Sequence, residues 1–354
     1  MKAEHAGTHI ARSSETIAKP DIRIIGIASL IYGVEDIDES TRFFVDFGLS
    51  LEKRHPDNAV FRLPDGATIE LRRHDDPTLP ATTMAGIGVR RVVWGLDSQD
   101  MLDWLVDDLR TDHVVERDGA GTAWFKTGFG ISMGIRLWQK RPVFSAPLPA
   151  NSVGNIARMN APRRWRERAY PKAINHVVFA IPDFVEGTAF MLERLGFRLS
   201  DEQTGFGRYL RAGGSFGHHT ILFLNANAPL PGMDGEFRFH HVNFAVDDID
   251  EIMVGANHMT RLGWPASHLG LGRHRVDSAL FYYLDCPAGG EAEYGADGDC
   301  VDDAWIPRQW PAPLFAFSHW VHHLPEFLNE PPPWRINYLT DHAERFAAQE
   351  GRSS

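Results

Sequence analysis

The 354-residue sequence repeats one pattern four times, and this repeat constrains the fold more than any other feature. Each copy opens with a short run rich in β-branched and aromatic residues, which leads through an acidic turn into an amphipathic helix. Two or three runs that alternate apolar and polar residues follow. The opening runs span residues 27–34, 89–96, 174–181 and 239–246. The pattern predicts four β-α-β-β-β modules.

The four modules are expected to pair into two barrel-like domains, which gives an α+β fold class. We expect a flexible tail, an N-terminal domain, a linker rich in Pro and Arg, a C-terminal domain and an extension, at residues 1–20, 21–145, 146–170, 171–300 and 301–354. The linker arginines are expected to lie against acidic surface. A terminal helix is predicted at residues 336–349.

Composition narrows the class of partner. The formal net charge of −11 argues against a nucleic-acid partner, which would require a concentrated basic face, and favours a small molecule. With two cysteines, no apolar run of about 18 residues and no signal-peptide pattern, the sequence predicts a soluble, reduced, cytoplasmic protein with no membrane partner. Its 17 histidines are unusual, and His is a common metal ligand.

Three residues of the second half predict a metal site. His176 and His241 occupy the same place in the opening strands of modules three and four, and Glu293 lies on the closing strand of module four. The first and last strands of each module are expected to point side chains into one cup. Two imidazoles and one carboxylate then form the facial triad typical of non-haem Fe(II). A lone strand histidine is more often structural, but repeat-related positions favour ligands.

The first half provides an internal comparison. Ser29 aligns with His176, Arg91 with His241, and Arg136 is expected opposite the position of Glu293. Two arginines and a serine do not hold a divalent cation. The first domain is therefore predicted to be non-catalytic and the second to be the metal-binding, catalytic one.

Three stretches carry a resemblance to a known family: residues 174–179, 217–220 and 272–295. They resemble the type I extradiol dioxygenases of the vicinal oxygen chelate superfamily, over roughly residues 24–300. The resemblance implies the glyoxalase-like fold of that superfamily, Fe(II) or Mn(II) on the same ligands, and a homo-oligomer. The implied reaction inserts both atoms of O₂ into a catechol-type substrate with meta ring cleavage, in the catabolism of aromatic compounds.

The resemblance also implies roles for further residues. His219 is similar to the acid-base residue near the O₂ position, and His274 and Tyr283 to the pair that binds a substrate hydroxyl and helps to remove its proton. Asp277, in the same loop, is expected to orient His274. Without the metal triad, each of these residues would be interpreted as structural.

Two other functions stay open at this point. One is a non-oxidative metal enzyme of the superfamily, an isomerase or a lyase, and the other is a non-catalytic protein that binds aromatic molecules. The aromatic residues of the extension are expected either to cap the pocket or, slightly preferred, to form subunit contacts, and they are Trp305, Trp310, Phe315, Phe317 and Trp320. The repeat assigns no role to His218 or His240.

Overall fold

The computed structural model describes residues 20–229 and 232–339. All four predicted modules are present, each with one helix and four strands in the expected order. Module one contains β1 (Ile24–Val34), α1 (Ile37–Phe47), β2 (Ser50–His55), β3 (Asn58–Arg62) and β4 (Thr68–Arg73). Module two contains β5 (Gly88–Leu96), α2 (Gln99–Leu109), β6 (Glu116–Arg117), β7 (Ala123–Lys126) and β8 (Ser132–Leu137). Module three contains β9 (Ala173–Ile181), α3 (Phe184–Glu193), β10 (Arg198–Gln203), β11 (Gly207–Arg211) and β12 (Ile221–Asn225). Module four contains β13 (Arg238–Ala245), α4 (Ile249–Arg261), β14 (Gly272–Arg273), β15 (Leu280–Asp285) and β16 (Glu291–Ala296).

The acidic turns between the opening strands and the helices act as helix N-caps. The carboxylates of Asp36, Asp183 and Asp248 each accept a hydrogen bond from a backbone N–H three residues later, which satisfies a donor that the first helical turn leaves free. Ser98 does the same for α2. Within residues 20–229 and 232–339, no helix is long and apolar enough to cross a membrane.

The strands form two sheets. Modules one and two build an eight-stranded sheet with the order β2-β3-β4-β1-β5-β8-β7-β6, and the remaining strands build an eleven-stranded sheet. The predicted α+β class and the four-module architecture are confirmed. The chain changes sheet between Leu137 and Ala173, which supports the domain limits, although these stay a prediction. Residues 1–19 of the predicted tail lie outside the described residues.

The two opening strands of each sheet pair antiparallel at its centre, and each closing strand pairs parallel with its own opening strand. In the second sheet this places β13 between β9 and β16. Asn243 is the register partner of His176 on one side and of Glu293 on the other. The three strands that carry the predicted metal ligands are therefore neighbours.

The register of the first sheet corrects one expectation. Ser29 and Gly134 are the partners of Val93, so Gly134 and not Arg136 takes the position that Glu293 has in the second sheet. A Cβ atom on Gly134 would lie only 2.8 Å from the ring of Trp124, which fills that space. The Arg91 guanidinium stacks over the same ring at 4.4 Å. No carboxylate occupies the equivalent place.

The extension is part of the second sheet. It contains β17 (Arg308–Trp310), α5 (Pro313–Phe317), β18 (Trp320–Val321), a 3₁₀ helix (Glu326–Leu328) and β19 (Asn337–Tyr338). Strand β17 pairs with β10 and with β19, and β18 pairs with β14. The terminal helix predicted from residue 336 is wrong at residues 337 and 338, which form β19, and residues 340–349 lie outside the described residues.

The aromatic side chains of the extension mostly pack within the chain, against the expectation that most form subunit contacts. Trp310 and Phe315 are buried with Tyr209 and Val276 because β17 and α5 cover that side of the second sheet. Trp320 is 38% exposed. In the linker, Arg166 pairs with acidic residues that include Asp247 and Glu251, as expected.

Candidate metal centre and catalytic site

The three predicted ligands converge at one buried point of the second sheet. The Nε2 atoms of His176 and His241 lie 3.3 Å apart, and Oε2 of Glu293 lies 3.5 Å from the first and 3.4 Å from the second. All three ligand atoms lie within 4.8 Å of one another. One cation placed among them would contact two neutral nitrogens and one carboxylate oxygen, which is the facial arrangement that suits Fe(II) and related divalent metals.

Glu293 shows that the residues present fit a metal ion. Its side chain is 1% exposed, and neither carboxylate oxygen has a hydrogen-bond partner among the described residues. A buried carboxylate without a partner is strongly destabilising, because its lost hydration is not replaced. A bound divalent cation would replace it.

Burial favours the neutral, metal-binding form of the His241 imidazole. It lowers the pKa of His241 well below the usual range, and the neighbouring imidazoles of His240 and His176 lower it further. The ring is therefore neutral near neutral pH, which is the form that binds metals.

His219 lies directly against the predicted ligands. Its ring stacks on that of His176 with centroids 4.0 Å apart, and Tyr209 contacts it edge-on at 4.9 Å. Burial, followed by the nearby imidazoles, lowers the pKa of His219 well below the usual range. The neutral ring can accept a proton from a reacting group and return it, which is the chemistry of general acid-base catalysis.

His274 and Tyr283 form a hydrogen bond whose donor and acceptor can be assigned. Nδ1 of His274 lies 2.6 Å from the carbonyl oxygen of Phe317 and therefore carries the proton that it donates. Nε2 then accepts from the Tyr283 hydroxyl at 3.1 Å. The same Nε2 lies 3.9 Å from Oε1 of Glu293, so the pair adjoins the predicted metal ligands. Burial raises the pKa of Tyr283 well above the usual range, which keeps the hydroxyl protonated.

Asp277 lies beside His219. Its Oδ2 is 3.8 Å from Nδ1 of His219, while its Oδ1 accepts the backbone N–H of Ala279. Among the described residues, no hydrogen bond or ion pair joins Asp277 to His274. Its expected role of orienting His274 stays a prediction.

A cavity of about 340 Å³ opens onto these side chains and is named the apolar cavity. Apolar residues of the barrel strands line one part of it, such as Leu222 and Leu224, and residues of the extension line another part, such as Leu314 and Phe317. None of the described residues that line it is Arg or Lys. A second, more open cavity of about 740 Å³ shares His176, His219 and Asp277 with it.

Several residues at the site were not identified from the sequence. Leu314 belongs to the extension, outside the repeat. Phe317, which was expected either to cap the pocket or to form a subunit contact, lines the cavity as well. His240 and Glu291 line the apolar cavity next to the ligands in sequence, and burial raises the pKa of Glu291 to about 8. Alternation along β13 argued against His240, because a neighbour of an inward residue is expected to point outward, whereas Glu291, two residues before Glu293, is expected on the same face as Glu293. The other omission, His218, contacts His219.

Known proteins resemble this chain in sequence and in fold. A profile of the Glyoxalase/Bleomycin resistance protein/Dioxygenase superfamily matches residues 173–285. Metapyrocatechase 2 of Cupriavidus necator is 27% identical over 58% of this chain and 62% of its own length. An iron-dependent extradiol dioxygenase of Rhodococcus jostii is 29% identical over 43% of this chain and 51% of its own length. The chain thus spans about half to three-fifths of these relatives.

The likeness of structure extends further along the chain. The Mn(II)-bound glyoxalase from Novosphingobium aromaticivorans superposes with a TM-score of 0.65 at 23% identity, covering 92% of this chain and 99% of that one. The two proteins therefore share a fold. Residues 173–285, which carry His176 and His241, match the model of the Glyoxalase/Bleomycin resistance protein/Dioxygenase superfamily, and the resemblance of the chain to the extradiol dioxygenases is confirmed.

Proposed function

We propose that this chain is an extradiol dioxygenase, which cleaves a catechol-type ring beside its two hydroxyl groups and inserts both atoms of O₂. The observation that best supports this function is that two sets of residues surround one point. His176, His241 and Glu293 form a buried triad, and the polar side chains His219, His274 and Tyr283 surround it. A metal-dependent isomerase or a binding protein would not require the second set.

His176, His241 and Glu293 would hold the metal, for which we propose Fe(II), with Mn(II) as the alternative that the same ligands accept. When bound, Fe(II) supplies adjacent coordination sites for a chelating diol and for O₂, and passes electron density between them. The name of the Rhodococcus jostii relative, an iron-dependent extradiol dioxygenase, supports the choice of iron.

The His274 and Tyr283 pair would remove one proton from the substrate. The hydroxyl of Tyr283 donates to Nε2 of His274, so its oxygen has lone pairs free to accept the proton of a substrate hydroxyl. As Tyr283 accepts that proton, it passes its own to Nε2 of His274. The carbonyl of Phe317 holds the other nitrogen of His274 as a donor and stabilises the imidazolium that results.

His219 would handle the second proton. The pKa of His219 is lowered by burial, so the ring is neutral before the reaction and can take a proton from the second hydroxyl. It can later give that proton to the oxygen that leaves when the O–O bond breaks. A group positioned in this way contributes on the order of 10²–10⁴-fold to the rate.

The apolar cavity favours an uncharged substituent on the catechol. Its described lining contains no Arg or Lys to pair with a carboxylate, and it includes the acidic Glu291. Leu222, Leu224, Leu314 and Phe317 offer apolar contact to an alkyl or aryl group. We therefore place carboxylated catechols outside the substrate range. Within this proposal the protein acts in the cytoplasm, in the catabolism of aromatic compounds, and assembles as a homo-oligomer.

The test is anaerobic reconstitution with Fe(II), followed by a panel of catechols in air. We expect one O₂ to be consumed per 3-substituted catechol, with a yellow ring-opened product that carries both oxygen atoms from ¹⁸O₂, apart from exchange of the carbonyl oxygen with water. Manganese-loaded protein, prepared in parallel, shows which metal supports turnover.

Each alternative gives a different result. Turnover of a substrate without O₂ uptake would identify a non-oxidative enzyme. Tight binding of catechols without turnover, in protein shown to contain Fe(II), would identify a binding protein. A colourless diacid, formed by cleavage between the two hydroxyls, would contradict the extradiol assignment.

A further inference from the structure

His218 lies behind the acid-base residue of the proposed reaction. Its Nδ1 is 3.3 Å from Nδ1 of His219, and its side chain is 2% exposed. Its Nε2 lies 3.3 Å from Oδ2 of Asp201, whose side chain is completely buried. We propose that His218, which lies beside the Asp201 carboxylate, is a positioning residue that fixes the tautomer of His219.

Residues of the extension hold Asp201 in place. Arg308 donates to its carboxylate through the backbone N–H at 2.8 Å and through the guanidinium at 2.7 Å, and the Trp310 indole donates at 3.0 Å. Burial alone would raise the pKa of Asp201, but the contacts with His218 and Arg308 lower it below the usual value. The carboxylate is therefore ionised and fixed.

The charge of Asp201 determines which nitrogen of each of the two histidine rings carries the proton. A lone pair on Nε2 of His218 would face a negative oxygen at 3.3 Å, so Nε2 carries the proton. A His218 ring that carries its single proton on Nε2 presents Nδ1 as an acceptor. Nδ1 of His219 must donate to it, and Nε2 of His219 keeps the lone pair.

This tautomer is the one that the reaction requires. The inference rests on the proposed function, in which His219 accepts a substrate proton, and only a nitrogen with a free lone pair can do so. Asp277 favours the same tautomer, but its Oδ2 lies 3.8 Å from Nδ1 of His219, beyond hydrogen-bond distance. His218 is the partner within reach. Substitution of a residue that orients another functional residue commonly lowers activity by about 10–100-fold.

The activity test compares two substitutions of His218. In His218→Asn the side-chain oxygen takes the place of Nδ1 and still accepts from His219, whereas His218→Leu fills the space without an acceptor. We expect His218→Leu to lower kcat about 10–100-fold with unchanged iron content and unchanged KM for the catechol. We expect His218→Asn to restore most of the turnover.

The matched control is Glu202→Gln. Glu202 is the neighbouring buried carboxylate of β10 and pairs with Arg208 on the side away from Asp201. This change disturbs a buried ion pair of the same strand and should leave kcat unaffected. A purely structural role of His218 would instead lower metal content and raise KM in both His218 variants, and equal kcat values in His218→Leu and the wild type would overturn the proposal.

A second measurement does not depend on activity. Long-range ¹H–¹⁵N NMR of the metal-free protein with ¹⁵N-labelled histidine distinguishes the two neutral tautomers. We expect His219 to carry its proton on Nδ1 in the wild type and to become a mixture in His218→Leu.

The two measurements separate this inference from the proposed function. A wild type that turns over no catechol would refute the function, while the NMR spectra would still decide the tautomer. A His219 that keeps a single Nδ1–H tautomer in His218→Leu would show that Asp277 holds it and would overturn the inference. Two divalent ions per chain, the second lost in His218→Leu, would also overturn it, because His218, His219 and Asp277 would then be ligands.

Discussion

Glu293→Gln should change the stability of this protein in opposite directions with and without metal. Glu293 is 1% exposed and both of its carboxylate oxygens lack hydrogen-bond partners among the described residues. Gln has the same shape but no charge. In metal-free protein the substitution therefore removes an uncompensated buried charge, whereas in metal-loaded protein it removes a ligand.

The magnitudes follow from the burial. An unpartnered buried charge destabilises by about 3–5 kcal/mol, and an unpartnered buried amide by about 1–3 kcal/mol. Metal-free Glu293→Gln should accordingly be more stable than metal-free wild type by about 1–3 kcal/mol, which amounts to several degrees in Tm. Fe(II) at a hundred times its Kd stabilises the wild type by about 2.7 kcal/mol, and the variant gains much less. The order of stability then reverses where the metal-free difference is below about 2.7 kcal/mol.

Thermal unfolding of both proteins under anaerobic conditions, with a chelator and with Fe(II), measures both effects. Glu293→Asp serves as a control, since it keeps the charge but shortens the side chain, and should not stabilise the metal-free protein. The reasoning fails if metal-free Glu293→Gln melts below metal-free wild type. It also fails if Fe(II) raises Tm equally in the two proteins.

Three further predictions concern the same site. His176→Ala should abolish bound iron while Arg91→Ala, at the first-sheet counterpart of His241, should leave about one iron per chain, as measured by metal analysis; iron loss in Arg91→Ala would contradict the assignment of the site to the second sheet. His219→Gln should retain iron and catechol binding but lower kcat on the order of 10²–10⁴-fold, and loss of metal would make His219 a ligand. Because burial raises the pKa of Glu291 from 4.5 to about 8, ionisation in the folded state is opposed, and the metal-free protein should lose stability as the pH rises between these values. Glu291→Gln should reduce that loss in urea unfolding at about pH 5.5 and about pH 8, and equal slopes would exclude a buried Glu291 as its source.

The fold and the convergence of the three candidate ligands were predictable because the repeat specifies them. Equivalent positions on opening strands must meet when two modules share a sheet, which placed His176 beside His241. The position of Arg136 was wrong because it depended on the register of a closing strand. A shift of two residues keeps a side chain on the same face, so alternation in the sequence does not reveal it.

The walls of the site were not predictable from the repeat. Phe317 and Arg308 have no counterparts in the other modules, and the short strands of the extension lack a period of their own. Their position follows from hydrogen bonds with β10 and with the loop of His274, which join residues far apart in sequence. His218 was set aside for a related reason, since only its neighbour His219 matched a known pattern.

The distances along the chain between the site and its supports have a consequence for biosynthesis. Asp201 and Arg308 are 107 residues apart, and Phe317 follows Glu293 by 24 residues. At a synthesis rate of about 5–20 residues per second, a growing chain therefore contains all three candidate ligands for about 1–5 s before the carbonyl that orients His274 is made. A chain that ends between Glu293 and Phe317 would contain all three candidate ligands but lack the carbonyl that accepts the Nδ1 proton of His274.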